Sequence, residues 1–297
     1  MKIFDCTTFY SEHLMMDLRF NILNDYVEKF IVCESTISHS GNKKKLNFDI
    51  NNYSKFKDKI TYIIIDEEPE GIVGQKNGLA EPHEKRSDSL KRINLSYDYM
   101  IKAISDASDN DLIMLSDNDE IPNLNSNQFK KSKKNIIIFK QLFFYYKLNL
   151  LYDLIPWYGS KATKKKNLLS MSWLRNLKNK KYPFWRLDTL FSNTKYMDLE
   201  IINDGGWHFT NLMTAEKLYE KLTNFGHHDE FELSGMTIDN LQKKINDKEV
   251  FFNHFVDKEK YKERWNFNYK LKKIDDKKLP DYLQLEENRL KLKDWFD

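Results

Sequence analysis

The sequence predicts an α/β protein built on a mostly parallel sheet flanked by helices, and three observations lead there. Apolar, β-branched runs recur at residues 29–34, 59–66 and 111–116, the form of strands buried on both faces. Segments of helical period alternate with them, at residues 12–27 and 87–107. Each run ends on or beside a carboxylate, Glu34, Asp66 or Asp117, on the sheet edge where parallel folds collect their ligands.

In chain order, residues 3–9 read as the first strand. Leu14, Leu18, Ile22 and Tyr26 then fall on one helical stripe. Two strands follow, at 29–34 and 59–66. Pro69, Gly71, Gly74, Gly78 and Pro82 mark residues 67–83 as a long surface loop of the kind that closes over ligands. A second helix carries Leu90, Ile93, Tyr97, Ile101 and Ile104, and a strand at 111–116 leads into an acidic cluster. Residues 135–144 form a β-branched and aromatic strand, and short strands and loops fill the chain to about residue 210. Helices are expected at 215–224, after Thr237, after Asp257 and from Pro280 to the end. There is no internal repeat. The chain is expected to form one domain, with residues 1–122 as a nucleotide-binding half and 123–297 as an elaborated half carrying acceptor contacts.

At 297 residues, with 40% hydrophobic, 14% aromatic and 31% charged residues, the chain can bury a real core and is not a disordered tail. Its net charge of +3 gives no bulk reason to expect a polyanionic partner. The lysine runs 43–45, 130–134 and 164–166 read as solvated loops, so no nucleic acid is expected. Two cysteines, Cys6 and Cys33, are too few for a disulfide scaffold and are expected buried and reduced. No long apolar stretch opens the sequence, so the expectation is a cytoplasmic chain without a transmembrane segment.

The strongest local signal is Ser116 Asp117 Asn118 Asp119 Glu120 Ile121 Pro122 after the apolar strand 112–115. Burying these carboxylates unpaired would be costly. Carboxylates at alternate positions can approach one hard cation, Mn²⁺ or Mg²⁺, that also holds a diphosphate. A solvated acidic turn is the plain alternative to a metal site. A phosphatase with a nucleophilic aspartate fits less well, because the cluster is mid-chain and no further nucleophile accompanies it.

The sequence resembles glycosyltransferase family 17, the bisecting β-1,4-N-acetylglucosaminyltransferase-like family, nearly end to end. Asp5, Phe9, Ser11, Glu12 and Arg19 resemble the family's opening pattern, with Ser11 in place of its Asn. Val32 Cys33 Glu34 with Ser38 His39 Ser40 Gly41 resembles its second strand and Ser-Gly turn, and Arg92 with Asn94 its Arg-Asn helix. Residues 116–122 are similar to its Ser-Asp-x-Asp-Glu-Ile-Pro signature. Gly205 Gly206 Trp207 His208 Phe209 Thr210, the looser Phe225 Gly226 His227 His228 Asp229, and Leu279 Pro280 Asp281 Tyr282 Leu283 resemble its later motifs.

The resemblance implies a GT-A fold, an inverting transfer from a UDP-sugar, with UDP-N-acetylglucosamine expected, and a glycan or glycoconjugate acceptor. Asp117, Asp119 and His208 are the expected metal ligands. Donor contacts are expected from Glu12, Arg19, Glu34, Lys43, Arg92, Asn94, Asp117 and His208. Asp229 and Glu230 are the candidates for the catalytic base, with Asp188 and Asp204 also available. Two other classes of function stand beside this one: a carbohydrate-binding relative without turnover, and a nucleic-acid binder using its lysine runs, with steeply salt-dependent affinity.

Overall fold

The structure is a computed structural model, and it describes residues 1–73, 81–183, 185–254, 264–265 and 267–297. Gly74 and Gly78 of the expected loop, and most of the helix expected after Asp257, lie outside the described residues.

Strands β1 (Ile3–Thr8), β2 (Lys29–Ser35), β3 (Ile60–Ile65) and β4 (Leu112–Ser116) form a parallel set in the order β3-β2-β1-β4. The sheet then continues through its second half. There β5 (Glu120–Pro122), β6 (Ile136–Tyr145), β7 (Leu150–Leu151), β8 (Trp157–Lys164), β9 (Leu199–Ile202) and β10 (Gly206–Thr210) mix both directions. β8 lies antiparallel between β4 and β6 and so joins the two halves, while β9 and β10 run parallel to β6.

The two-residue period of a strand explains the layering. Phe30 and Val32 of β2, and Leu112 and Met114 of β4, face one core. Ile31 and Cys33, and Ile113 and Leu115, face the other. Helix α1 (His13–Leu23) covers the first face with Met15, Met16, Leu18, Phe20 and Leu23. Helices α2 (Pro82–Tyr99) and α4 (Met171–Asn176) cover the second, through Tyr97 and through Met171, Trp173 and Leu174. Between them in sequence lies the short α3 (Asn127–Lys131). A third core gathers Phe143 and Tyr145 of β6 with α5 (Ala215–Asn224), α6 (His228–Ser234) and α7 (Ile238–Asn246).

Several elements differ from expectation for identifiable reasons. β3 ends the sheet, so only Ile60 and Ile65 of its apolar run are buried and Ile64 is exposed. α1 buries more than one stripe because it lies between the sheet and the short C-terminal helix Asp281–Gln284, whose Leu283 joins the same core. Tyr26 falls beyond its end and is exposed. The final segment is broken into short turns of helix instead of one. Cys6 and Cys33 are buried free thiols, as expected, and burial pushes the Cys33 thiol up to about 12. Among the described residues, no helix is long and apolar enough to cross a membrane.

Candidate active site

The carboxyl ends of β1, β2 and β4 open onto a cavity of about 450 Å³, closed from above by α2, α4 and α5. Its wall includes three carboxylates, Glu12, Asp117 and Asp119, and four cations, Lys44, Arg86, Arg175 and Lys221.

The acidic cluster is a tight turn between β4 and β5, and its three carboxylates do different things. Glu120 points inward. One of its oxygens accepts the Asp117 backbone N–H at 3.1 Å and the other accepts the Trp157 indole N–H at 2.9 Å. Burial and the neighbouring Asp117 raise its pKa, and its place is that of a brace for the turn. Asp117 is gripped from the cavity side. Arg175 donates to both its oxygens, at 3.2 and 2.6 Å, and the Tyr97 hydroxyl donates at 2.6 Å. This is the planar fork geometry for which arginine is suited.

Asp119 meets His208, whose Nε2 lies 3.2 Å from its carboxylate, and Lys221, 3.9 Å away. Burial works against its charge, but His208, Lys221 and Thr210 outweigh it and hold the carboxyl well below the usual carboxylate range.

Strand pairing creates the Asp119–His208 contact. β10 runs antiparallel to β5 with His208 opposite Glu120, and the Phe209 N–H donates to the Asp119 carbonyl at 2.8 Å. The two glycines before the histidine permit this approach. A Cβ on Gly205 would lie 2.5 Å from the Lys140 backbone, and Gly206 has φ +114° with its Cβ direction 2.2 Å from the Ile121 carbonyl. His208 is itself stacked against both Trp157 and Phe143, at centroid distances of 4.2 and 4.4 Å, in a cluster where those two rings also touch.

Oxygen from Asp119 and imidazole from His208 form a donor set compatible with Mn²⁺ or Mg²⁺. Among the described residues, no group of three or more His, Cys, Asp or Glu is gathered to hold a metal, since Asp117 is turned into Arg175. Among the described residues His208 Nδ1 has no hydrogen-bond partner, so the imidazole is placed by ring stacking and by the contact of Nε2 with Asp119. Asp119 and His208 are the residues that would hold a cation here.

The other expected residues divide. Glu12 and Asn94 line the cavity. Glu12 is braced by the Ser11 N–H at 2.9 Å and faces Lys221 at 3.4 Å. Arg19 is not at the cavity. It is fully buried, bidentate on Asp5 at 2.5 and 2.6 Å, and also bonded to the Glu120 carbonyl, so it ties α1 to β1 and the acidic turn. Glu34 is saturated by the N–H groups of Asn47 and Phe48, the Tyr62 hydroxyl and Lys44, and it shapes the loop after β2.

Arg92 is paired with Glu68 at 2.8 and 3.0 Å and donates to the His39 carbonyl, behind the cavity wall. Lys43 is exposed, and its neighbour Lys44 lines the cavity instead. Of the base candidates, Glu230 is fixed by Arg264 at 2.7 Å and His227 at 3.1 Å. Asp229, beside it on α6, is buried, and among the described residues its Oδ1 has no hydrogen-bond partner. Neither lines the cavity, although His227, one residue before α6, does. Asp188 is held by Arg186 and Lys195 in an exposed segment, and Asp204 accepts from Asn123.

Sequence reasoning missed Lys221, Arg175, Arg86 and Tyr97 as cavity residues. Lys221 borders the buried Ala215, Leu218 and Leu222 stripe of α5, where a lysine reads as a solvated flank. Arg175 sits on a six-residue helix in a stretch with no periodic signal. The lysine runs are drawn into local contacts, Lys134 with Asp198 and Lys165 with the carbonyls of Ser105 and Ala107.

A family model, that of glycosyltransferase family 17, matches residues 1–293. No curated protein matches the sequence. Among solved structures, HddC from Yersinia pseudotuberculosis is 13% identical, with 68% of this chain and 91% of that one covered at a TM-score of 0.32. The inositol-1-phosphate CTP transferase from T. maritima is also 13% identical, with 68% and 85% covered at a TM-score of 0.32. Likenesses at that level say nothing about what this chain acts on.

Proposed function

The chain belongs to glycosyltransferase family 17, and we propose from that premise that it transfers N-acetylglucosamine from UDP-N-acetylglucosamine to a glycan hydroxyl with inversion. The observation that carries this reading is Asp119 on the wall of a cavity that also holds four cations, with His208, which does not itself line the cavity, 3.2 Å from its carboxylate. A diphosphate needs such positive charge, and the parallel half of the sheet delivers its loops to the same edge.

In this reading Asp119 and His208 are the residues that would hold Mn²⁺ or Mg²⁺. When bound, the cation supplies Lewis-acid stabilisation of the departing UDP. Lys221, Lys44, Arg86 and Arg175 surround the diphosphate, and Glu12 and Asn94 make polar contacts with the nucleoside. The acceptor hydroxyl attacks the anomeric carbon as the bond to the diphosphate breaks, and its proton passes to a carboxylate. Asp229 is assigned that task over Glu230, because Glu230 is already committed to Arg264 and His227 while Asp229 Oδ1 has no partner among the described residues.

Calorimetric titration of UDP, then UDP-N-acetylglucosamine, with and without Mn²⁺, tests the reading on the parent and on Asp119→Ala. Metal-dependent binding that Asp119→Ala abolishes is expected. Absence of binding by the parent under every metal condition would return the acidic cluster to a structural turn.

A further inference from the structure

Residues 178–195 leave the end of α4 and return toward β9, and they carry an unusual surface. Trp185, Leu187 and Phe191 are 67%, 68% and 91% exposed. Single exposed apolar side chains are ordinary, but three large ones within seven residues are not. Five basic residues and one acidic residue lie in the same stretch. The stretch therefore carries a surplus of four positive charges.

The segment is built as a strapped tip. Its two ends are tied by the Lys178 N–H to the Thr194 carbonyl at 2.9 Å and the Tyr182 N–H to the Tyr196 carbonyl at 3.3 Å. The Trp173 indole of α4 anchors it from beneath through the Asn193 carbonyl at 2.5 Å. Lys180, Arg186 and Lys195 stand around the Tyr182 ring at 5.8, 5.6 and 5.9 Å. Asp188, the one acidic residue, is shared by Arg186 and Lys195, which leaves three of the four surplus charges on Lys178, Lys180 and Lys181, all exposed.

We propose that this tip docks the protein onto an anionic lipid surface. An indole, an aliphatic and a phenyl side chain at the apex seat at the headgroup–acyl boundary, and the ring of lysines behind them meets lipid phosphates. The charge decides the occupant: a second copy of the chain would bring the same cations face to face, whereas an anionic bilayer complements both the apolar apex and its basic collar. Asn176 lines the cavity and lies two residues before Lys178, so docking holds the cavity rim beside the bilayer. The inference does not depend on the sugar or the metal proposed above.

The test is cosedimentation of the full chain with phosphatidylcholine vesicles, with and without phosphatidylglycerol. Binding is expected only with the anionic lipid and should weaken as salt rises. The triple change Trp185→Ser, Leu187→Ser, Phe191→Ser, and separately Lys178→Gln, Lys180→Gln, Lys181→Gln, should each reduce it at least about tenfold. All six positions are exposed, and circular dichroism checks that the fold is kept. A parent that stays in the supernatant with both vesicles overturns the proposal, as does a serine variant that binds like the parent. A parent dimer that the serine changes dissociate, seen by light scattering, assigns the tip to a second copy and overturns it equally.

Discussion

Lys221 keeps its proton although it is largely buried. Desolvation disfavours the ammonium, but Glu12 at 3.4 Å and Asp119 at 3.9 Å raise its pKa above the ordinary lysine value. It is therefore a fixed positive charge on the cavity wall, and Lys221→Met should weaken UDP binding by roughly tenfold to a hundredfold, in line with loss of a charge-assisted contact. Calorimetry against Lys221→Arg, which keeps the charge, checks this. Asp229→Asn should lower kcat by about a hundredfold or more while leaving UDP affinity unchanged; an equal loss in affinity would move Asp229 from proton acceptance to donor binding.

Arg19 is a different case. Arg19→Met would strand Asp5 in the core, and unfolding in urea should show a loss of about 3–5 kcal/mol. His39, beside the cavity, is held neutral by burial, with a pKa lowered to about 4. Its unfolded value is about 6.5, so the unfolded chain binds the proton first. Stability is unaffected by this group above that pH and falls as pH drops from 6.5 toward 4, by up to about 3 kcal/mol. His254, lowered to about 3 by burial, acts in the same direction. His39→Gln should flatten part of that slope in urea midpoints taken between pH 7 and 4.

At the scale of elements, β10 is the piece on which the site depends. Gly206→Ala would drive a Cβ into the Ile121 carbonyl at a positive φ and should cost upward of about 2 kcal/mol. It should also loosen His208 against Asp119, so that UDP affinity falls along with stability. How far the sequence reveals an element depends on its physics. β1, β2 and β4 were legible because strands buried on both faces must be continuously apolar, and α5 was legible because Ala215, Leu218 and Leu222 repeat at helical spacing. The union of β5 with β10 was not legible. A three-residue strand carries no period, and its partner lies more than eighty residues away.

The motifs at 116–122 and 205–210 were each visible, but their contact is a property of topology. Glu34 was expected at the donor from its place at a strand end, and Arg19 and Arg92 from their resemblance to the family's helix motifs; each is taken up by an internal partner, Lys44, Asp5 or Glu68, that only the fold reveals.

The two halves of the chain share the main sheet, with β8 hydrogen-bonded to β4 of the first half and β6 of the second. All six tryptophans lie beyond residue 150, yet Trp173 and Trp207 pack into cores that include first-half residues. Urea unfolding followed by fluorescence should coincide with that followed by far-UV circular dichroism, as expected when the halves cannot melt separately. Two transitions would mean that the halves are separate folding units.

The hydrogen bond from the Asn123 N–H to the Gly205 carbonyl, at 3.0 Å, closes a circuit. The chain leaves the acidic turn at one point of the fold and comes back to that point after a long excursion containing β6, β8, α4 and the strapped tip. Lengthening a closed excursion adds little entropic cost, so its outer parts can grow or shorten without opening the Asp119–His208 contact. Evolution can thus rewrite what the enzyme reaches for, or where it is moored, without retuning the chemistry it performs.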